Sequence, residues 1–265
     1  MVMISDRKKP IFDGVCYTCD LDWASEYVIS QMLEYFDKQD VHPTIFITHP
    51  SPCVMEYVRQ GRIDIGLHPN FILPSSQGNS IDEIVAYCMN LWPEAKVFRC
   101  HRWYASNDIY DLLYQKGLRY DSNICSWMEV VAPFQHRSGM ISIPVFFEDG
   151  AWLYHGMSLE FTEHAALFEQ PGLKVINIHP MHFVLNTPYF RYMRDIKDRL
   201  PRENWNSLNR NEILSLKNTS QIGMQDFLQR MIDCYQVRGV KQYTLQEVYH
   251  EIKRTADGYG SDKND

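Results

Sequence analysis

The 265-residue sequence contains no run of about 18 apolar residues, so no segment reads as a helix that crosses a bilayer. Met1–Pro10 is polar and lacks the apolar stretch of a secretory leader. There is no basic excess either. Lys and Arg number 26 against 33 Asp and Glu, for a net charge of −7, and nucleic-acid binding as the main task needs the opposite balance. Cys16 and Cys19 have no second C-x-x-C to accompany them, and an extended strand points their side chains to opposite faces, so both read as core. The seven cysteines are an odd set, mostly inside predicted strands or helices, as suits reduced, buried thiols in a cytoplasmic protein. Without an internal repeat or a dividing linker, residues 1–265 are expected to form one catalytic domain, with a core over about 12–250 and a flexible tail at 256–265.

What is present is the composition of an ordinary globular protein, 45% hydrophobic and 22% charged, at a length that suits one α/β barrel of about 200–250 residues. The chain is organised around Val15–Trp23, a short buried strand that runs into Asp20 and Asp22, with an amphipathic helix following at once. Val28, Met32, Tyr35 and Phe36 supply that helix's apolar stripe. Further strands are predicted at 43–48, 62–67, 97–100, 118–124, 141–147 and 174–178, with a possible eighth at 240–244. Helices are predicted between them over 53–60, 81–92, 107–116 and 224–236. Strands alternating with helices imply βαβ units and a parallel sheet, and continuous apolar runs imply that both faces are covered.

Polar side chains gather where these strands end. His68 follows the third; Arg99, His101 and Arg102 follow the fourth; Glu148 and Asp149 follow the sixth; His179 and His182 follow the seventh. The carboxyl ends of parallel strands are where α/β active sites form. Two carboxylates at one strand mouth repel each other, which suits a divalent metal held by one of them with the other serving as base; the plainer alternative is one helix cap and one solvated side chain. Trp23, Trp103, Tyr104, Trp127 and Trp152 lie near strand ends, where a sugar ring could stack, although core packing is the default for each.

Asp20-Leu21-Asp22, Gly66-Leu67-His68-Pro69-Asn70, Phe98-Arg99-Cys100 and Ile178-His179-Pro180 resemble, in order and approximate spacing, the motifs of the polysaccharide deacetylase (NodB-homology, carbohydrate esterase 4-like) superfamily. His68 to Phe71, Arg99 to Arg102 and His179 through Thr187 are similar to its WbmS-like branch from O-antigen gene clusters. The resemblance implies a distorted (β/α) barrel of about seven or eight strands. It also implies a single divalent metal, zinc first and cobalt, manganese or nickel as alternatives, and removal of an N-acetyl or N-formyl group from an amino sugar or a nucleotide- or lipid-linked sugar of a surface polysaccharide. By the same resemblance Asp22 and His68 are metal ligands, Asp20 is the general base, His179 the general acid, and Arg99 orients Asp20.

The family's second histidine, four residues after the first, is missing, because Ile72 stands there. His101 is the expected replacement, with His182 and Glu148 as lesser candidates; three protein ligands plus water is the usual catalytic arrangement for zinc. Arg102, Trp103, Glu148, Asp149 and His182 are expected at the substrate. Two other functions fit the same residues: an inactive carbohydrate-binding or scaffold protein that kept the fold, and a hydrolase of a non-sugar cyclic amide. No nucleic-acid partner is expected, and a homo-oligomer is left open.

Overall fold

The computed structural model describes residues 12–257. Nine strands make one curled sheet: β1 (Gly14–Asp20), β2 (Thr44–Ile47), β3 (Asp64–Leu67), β4 (Val97–Phe98), β5 (Tyr120–Asp121), β6 (Phe134–Gln135), β7 (Ile141–Ser142), β8 (Phe147–Glu148) and β9 (Leu173–Ile178). Their order is β6-β7-β5-β4-β3-β2-β1-β9-β8. Every neighbouring pair is parallel except β6 with β7. The two ends of the sheet meet in one stretch of chain. Residues 141–148 start against β5, where Ile143 donates to the Asp121 carbonyl, and finish against β9, where Phe146 donates to the Val175 carbonyl. Pro144 sits at the crossover and has no N–H to give. Backbone pairing thus closes into the distorted barrel expected from the sequence.

Alternation along the strands sorts side chains into two environments. Cys16, Phe46, Val97, Tyr120, Val145 and Val175 pack with Leu245 and Val248 of the last helix, Leu245–Asp257, as one apolar cluster. Val15, Tyr17, Cys19, Ile45, Ile176 and Ile178 pack in a different cluster, against helices Glu26–Lys38 and Met224–Val237. Cys16 and Cys19 therefore do face opposite ways, and all seven cysteines are free thiols.

Several expected elements differ in extent. The predicted sixth strand is two short pieces, because its proline and its change of partner interrupt the ladder. Residues 240–244 are no eighth strand. Gln242 forms a single bridge to Val15, and Thr244 then caps the last helix through its hydroxyl and the Glu247 carboxylate, so the chain leaves the sheet. Residues 134–135, expected as loop, form the antiparallel edge β6. The tail expected at 256–265 lies outside the described residues from 258 onward, and the last helix runs to Asp257. Among the described residues no helix is long and apolar enough to cross a membrane.

Gly66 of β3 lies opposite Phe46 of β2. A Cβ there would stand 2.5 Å from two atoms of the buried Phe46 ring and 3.0 Å from Val97. That ring in turn lies beneath the guanidinium of Arg99, 4.3 Å from its centroid. Gly66→Ala should therefore lower stability by about 1–3 kcal/mol through overpacking, read from urea unfolding midpoints.

Candidate active site

Every second residue up the strands carries the barrel interior from apolar to polar: Cys16, Thr18, Asp20 on β1; Val97, Arg99, His101 from β4; Val175, Asn177, His179 from β9. At the top they meet. Arg99 has no exposed surface and is satisfied on all sides. Its Nη1 donates to Asp20 Oδ1 (2.9 Å), Thr18 Oγ1 (2.9 Å) and Asn177 Oδ1 (2.6 Å). Its Nε donates to the Ser122 carbonyl (2.7 Å) and its Nη2 to Ser122 Oγ (2.9 Å). Asn177 Nδ2 donates to the other Asp20 oxygen at 2.8 Å. Burial works against the Asp20 charge, but Arg99, with His68 and His179, holds its carboxyl below the usual range.

Asp22 Oδ1 lies 3.2 Å from His68 Nε2 and 3.0 Å from His101 Nδ1. Burial again opposes the charge, and His101 and then His68 hold Asp22 well below the usual carboxylate range. One carboxylate oxygen and two imidazole nitrogens lie within 4.8 Å of one another here, a donor set suited to zinc and similar divalent cations. Asp149, His179 and His182 meet the same spacing. In that group, however, Asp149 is fully buried and does not line the cavity, whereas Asp22, His68 and His101 all do. The Asp22 group is the better fit.

His179 turns its remaining nitrogen inward. Nε2 stands 3.9 Å from Asp20 Oδ2 and 3.8 Å from Asp22 Oδ2. Burial lowers its affinity for a proton, yet the Asp149 charge and hydrogen bond, with Asp22 and Asp20 beyond, raise its pKa well above that of a free imidazole. Burial pushes Glu148 up to about 7 and His182 down to about 4, so both tend toward their neutral forms.

Nine of the eleven residues singled out in the sequence line one cavity of about 730 Å³: Asp20, Asp22, His68, His101, Arg102, Trp103, Glu148, His179 and His182. Arg99 and Asp149 lie behind its wall. For Asp149 this corrects the expectation of substrate contact. It is fully buried, and its two oxygens accept from the His179 ring, the His179 backbone N–H and the Gly150 N–H. Ile72 stays in the loop after His68, its N–H donating to Asn70 Oδ1. That loop is clipped by Gln77, which bonds Asn70 N, the His68 carbonyl and the Thr48 carbonyl.

Thr18, Asn177 and Ser122 escaped the sequence reading, as did Gln77. For the first two the signal was available: each lies two residues before a singled-out strand-end residue on the same strand. Backbone conformation is special at the same places. Asp22, Trp23, Arg102 and Trp103 all have φ between 44° and 61°, a region uncommon for side-chain-bearing residues and concentrated at functional sites.

A parallel barrel whose strand ends gather carboxylates, imidazoles and one buried guanidinium is a NodB-type barrel. Within that class the chain belongs to the WbmS-like polysaccharide deacetylase family, whose model matches residues 17–197, more than half of the chain. It is similar to WbmS from Bordetella bronchiseptica, a protein assigned to O-antigen biosynthesis, at 25% identity and a TM-score of 0.73 over 83% of this chain and 90% of that one. The Bc1960 peptidoglycan N-acetylglucosamine deacetylase shares the fold at 14% identity and a TM-score of 0.50, with 91% of each chain covered. No curated protein sequence matches.

Replacing Arg99 by Met removes one partner of a buried ion pair and should cost about 3–5 kcal/mol of stability in urea unfolding. The sign of its pH dependence follows from Asp20. The pair stabilises the fold above the unfolded carboxyl pKa, and that contribution fades as pH falls through the lowered folded value. The gap between wild type and Arg99→Met should therefore narrow in acid.

Proposed function

We propose that the protein is a metal-dependent hydrolase that removes an N-acetyl or N-formyl group from an amino sugar used in a surface polysaccharide, acting in the cytoplasm through a single catalytic domain. The observation that carries this reading is the convergence of Asp22, His68 and His101 beside Asp20 and His179 in one cavity. Asp22, His68 and His101 are the residues that would hold the cation, zinc being the first choice for one carboxylate and two imidazoles. When bound, a divalent cation supplies Lewis-acid polarisation of the amide carbonyl and acidifies water.

The remaining work falls to the protein's own groups. Asp20, kept ionised by Arg99 and oriented by Asn177, accepts the proton of the attacking water. His179, protonated because Asp149 backs its Nδ1, donates from Nε2 to the departing nitrogen. The resting site therefore holds the acceptor charged and the donor loaded, less than 4 Å apart. Trp103 and Glu148 line the space where a sugar would lie. Seven unpaired cysteines support the reducing compartment.

The test is metal analysis of purified protein followed by assay on N-acetyl and N-formyl hexosamines. Bound divalent ion, free amine as product, and loss of both on chelation or in Asp22→Asn are expected. A protein that retains no ion and releases no amine after addition of zinc or cobalt sinks the reading.

Two variants probe the proton donor. His179→Ala should lower kcat by about 10²–10⁴-fold, the usual worth of a positioned general acid. Asp149→Asn removes the main interaction that raises the His179 pKa. Because the donor is lost as pH rises through that pKa, the basic limb of the kcat profile should move to lower pH. An unmoved limb would exclude His179 as the acid.

A further inference from the structure

The lining of the cavity is also rich in cations. Helix Arg191–Lys197 places Arg191, Arg194 and Lys197 on it, and Arg102 joins them from the turn after β4. This is unexpected in a chain with an acidic surplus of seven. The carboxylates lining the cavity are Asp20, Asp22 and Glu148. Asp20 is bonded to Arg99, Asp22 is flanked by two imidazoles, and burial drives Glu148 toward its neutral form, so none of them is spare to neutralise these cations. Arg191 faces Asp195 at 3.7 Å, an exposed pair that salt and solvent weaken. Among the described residues Arg102 and Arg194 pair with no carboxylate. Lys197 rests over the ring of Trp205 at 4.5 Å, so the charge left without a carboxylate is that of Arg102 and Arg194. A neutral glycan would meet none of these needs. A group with several anionic oxygens would meet them, since guanidinium forks match phosphate geometry.

Building on the deacylation reading above, we infer that the amino sugar is presented as a phosphate or diphosphate ester. The N-acyl group points at Asp20 and His179, and the ester oxygens lie against Arg102, Arg191 and Arg194. The ester is a spectator: no bond to phosphorus forms or breaks. Tyr154 and Phe190, edge to face at 5.2 Å and about half or more exposed, also line the cavity and offer an apolar surface to whatever the diphosphate is joined to. A nucleoside diphosphate and a lipid diphosphate share the bound chemistry.

The test compares the metal-loaded enzyme on UDP-N-acetylglucosamine, N-acetylglucosamine 1-phosphate, a short-chain prenyl diphosphate-linked N-acetylglucosamine and the neutral methyl glycoside. In parallel, binding of UDP-N-acetylglucosamine and inorganic pyrophosphate is followed by calorimetry. The phosphorylated sugars should be preferred in kcat/KM by at least tenfold at low salt, with the preference shrinking as salt rises. Arg194→Glu with Arg191→Glu should lower the ratio of phosphorylated to neutral kcat/KM tenfold or more. Both side chains are exposed, so this variant folds, and circular dichroism verifies it. The nucleotide and prenyl arms report which carrier is used.

Amine release that favours the neutral glycoside equally, and that is indifferent to the charge reversal, overturns the inference while leaving the deacylase reading intact. Absence of amine release from every sugar, with salt-dependent binding of UDP-N-acetylglucosamine that the charge reversal abolishes, supports the anionic subsite and removes the hydrolase instead. Failure of the protein to bind either phosphorylated probe in calorimetry also overturns the inference.

Discussion

The structure depends on a cation with no access to water. Arg99 sits inside a barrel of hydrophobic strands, where an unpaired guanidinium could not be kept. It is tolerated because β1, β9 and the turn after β5 each turn an oxygen toward it, and because the Phe46 face covers its plane. That requirement fixes more than Arg99. Thr18 and Asp20 must face inward on β1, Asn177 must stand level with them on β9, and Ser122 must follow Asp121 closely enough to offer both carbonyl and hydroxyl. Since register is shared along a parallel sheet, satisfying one side chain sets the height at which all the strands end. Gly66 belongs to the same constraint, because any larger residue would displace the ring on which the guanidinium lies.

From this arrangement follows a separation of proton affinities. Asp20 sees the fixed positive charge and stays ionised; His179 sees the fully buried Asp149 and stays protonated. Two groups whose proton affinities already differ in water are pushed further apart by partners that lie behind the cavity wall. Glu148 and His182, close by but without such partners, are driven by burial toward neutrality instead. Charge in this cavity is therefore assigned by what stands behind each group. The pattern is that of an acid–base pair whose environments push their affinities apart.

Much of this was legible before folding. The alternation of strands and helices and the strand-end polar clusters announced a parallel barrel, and the inward parity of Asp20, Arg99, His101 and His179 follows from an ordinary two-residue period. What escaped reading depends on contacts across strands. Asp149 reads as a substrate contact at a strand end, and only the approach of β9 to β8 puts His179 over it. Gln77 lies in a Ser- and Gly-rich loop that reads as linker, yet its amide holds the His68 and Thr48 carbonyls. The short pieces β7 and β8 were read as one strand because hydrophobicity does not record a change of neighbour. Asn186, with φ 50°, anchors the segment beyond His182 through Gln225 N–H, Asp226 and Asn218, all more than 30 residues away.

Ile72 stands where the resemblance implies a second histidine, and His101 is the ligand proposed in its place. A residue four beyond His68 returns to the cavity only if the loop coils tightly, and here it does not: Asn70 turns the chain locally, Gln77 clips it from behind, and Leu73 is exposed. His101 needs no such loop. It lies two residues beyond Arg99, on the inward side of the adjacent strand's exit, and its N–H donates to the Pro69 carbonyl of the turn after His68. The left-handed Arg102 and Trp103 then reverse the chain at once, keeping the imidazole 3.0 Å from Asp22. A nitrogen donor supplied by the Arg99 strand is tied to the residue that already sets the height of the sheet. In the function proposed above, the third ligand and the buried ion pair would thus be positioned by one element, with the turn after His68 bracing that ligand through Pro69.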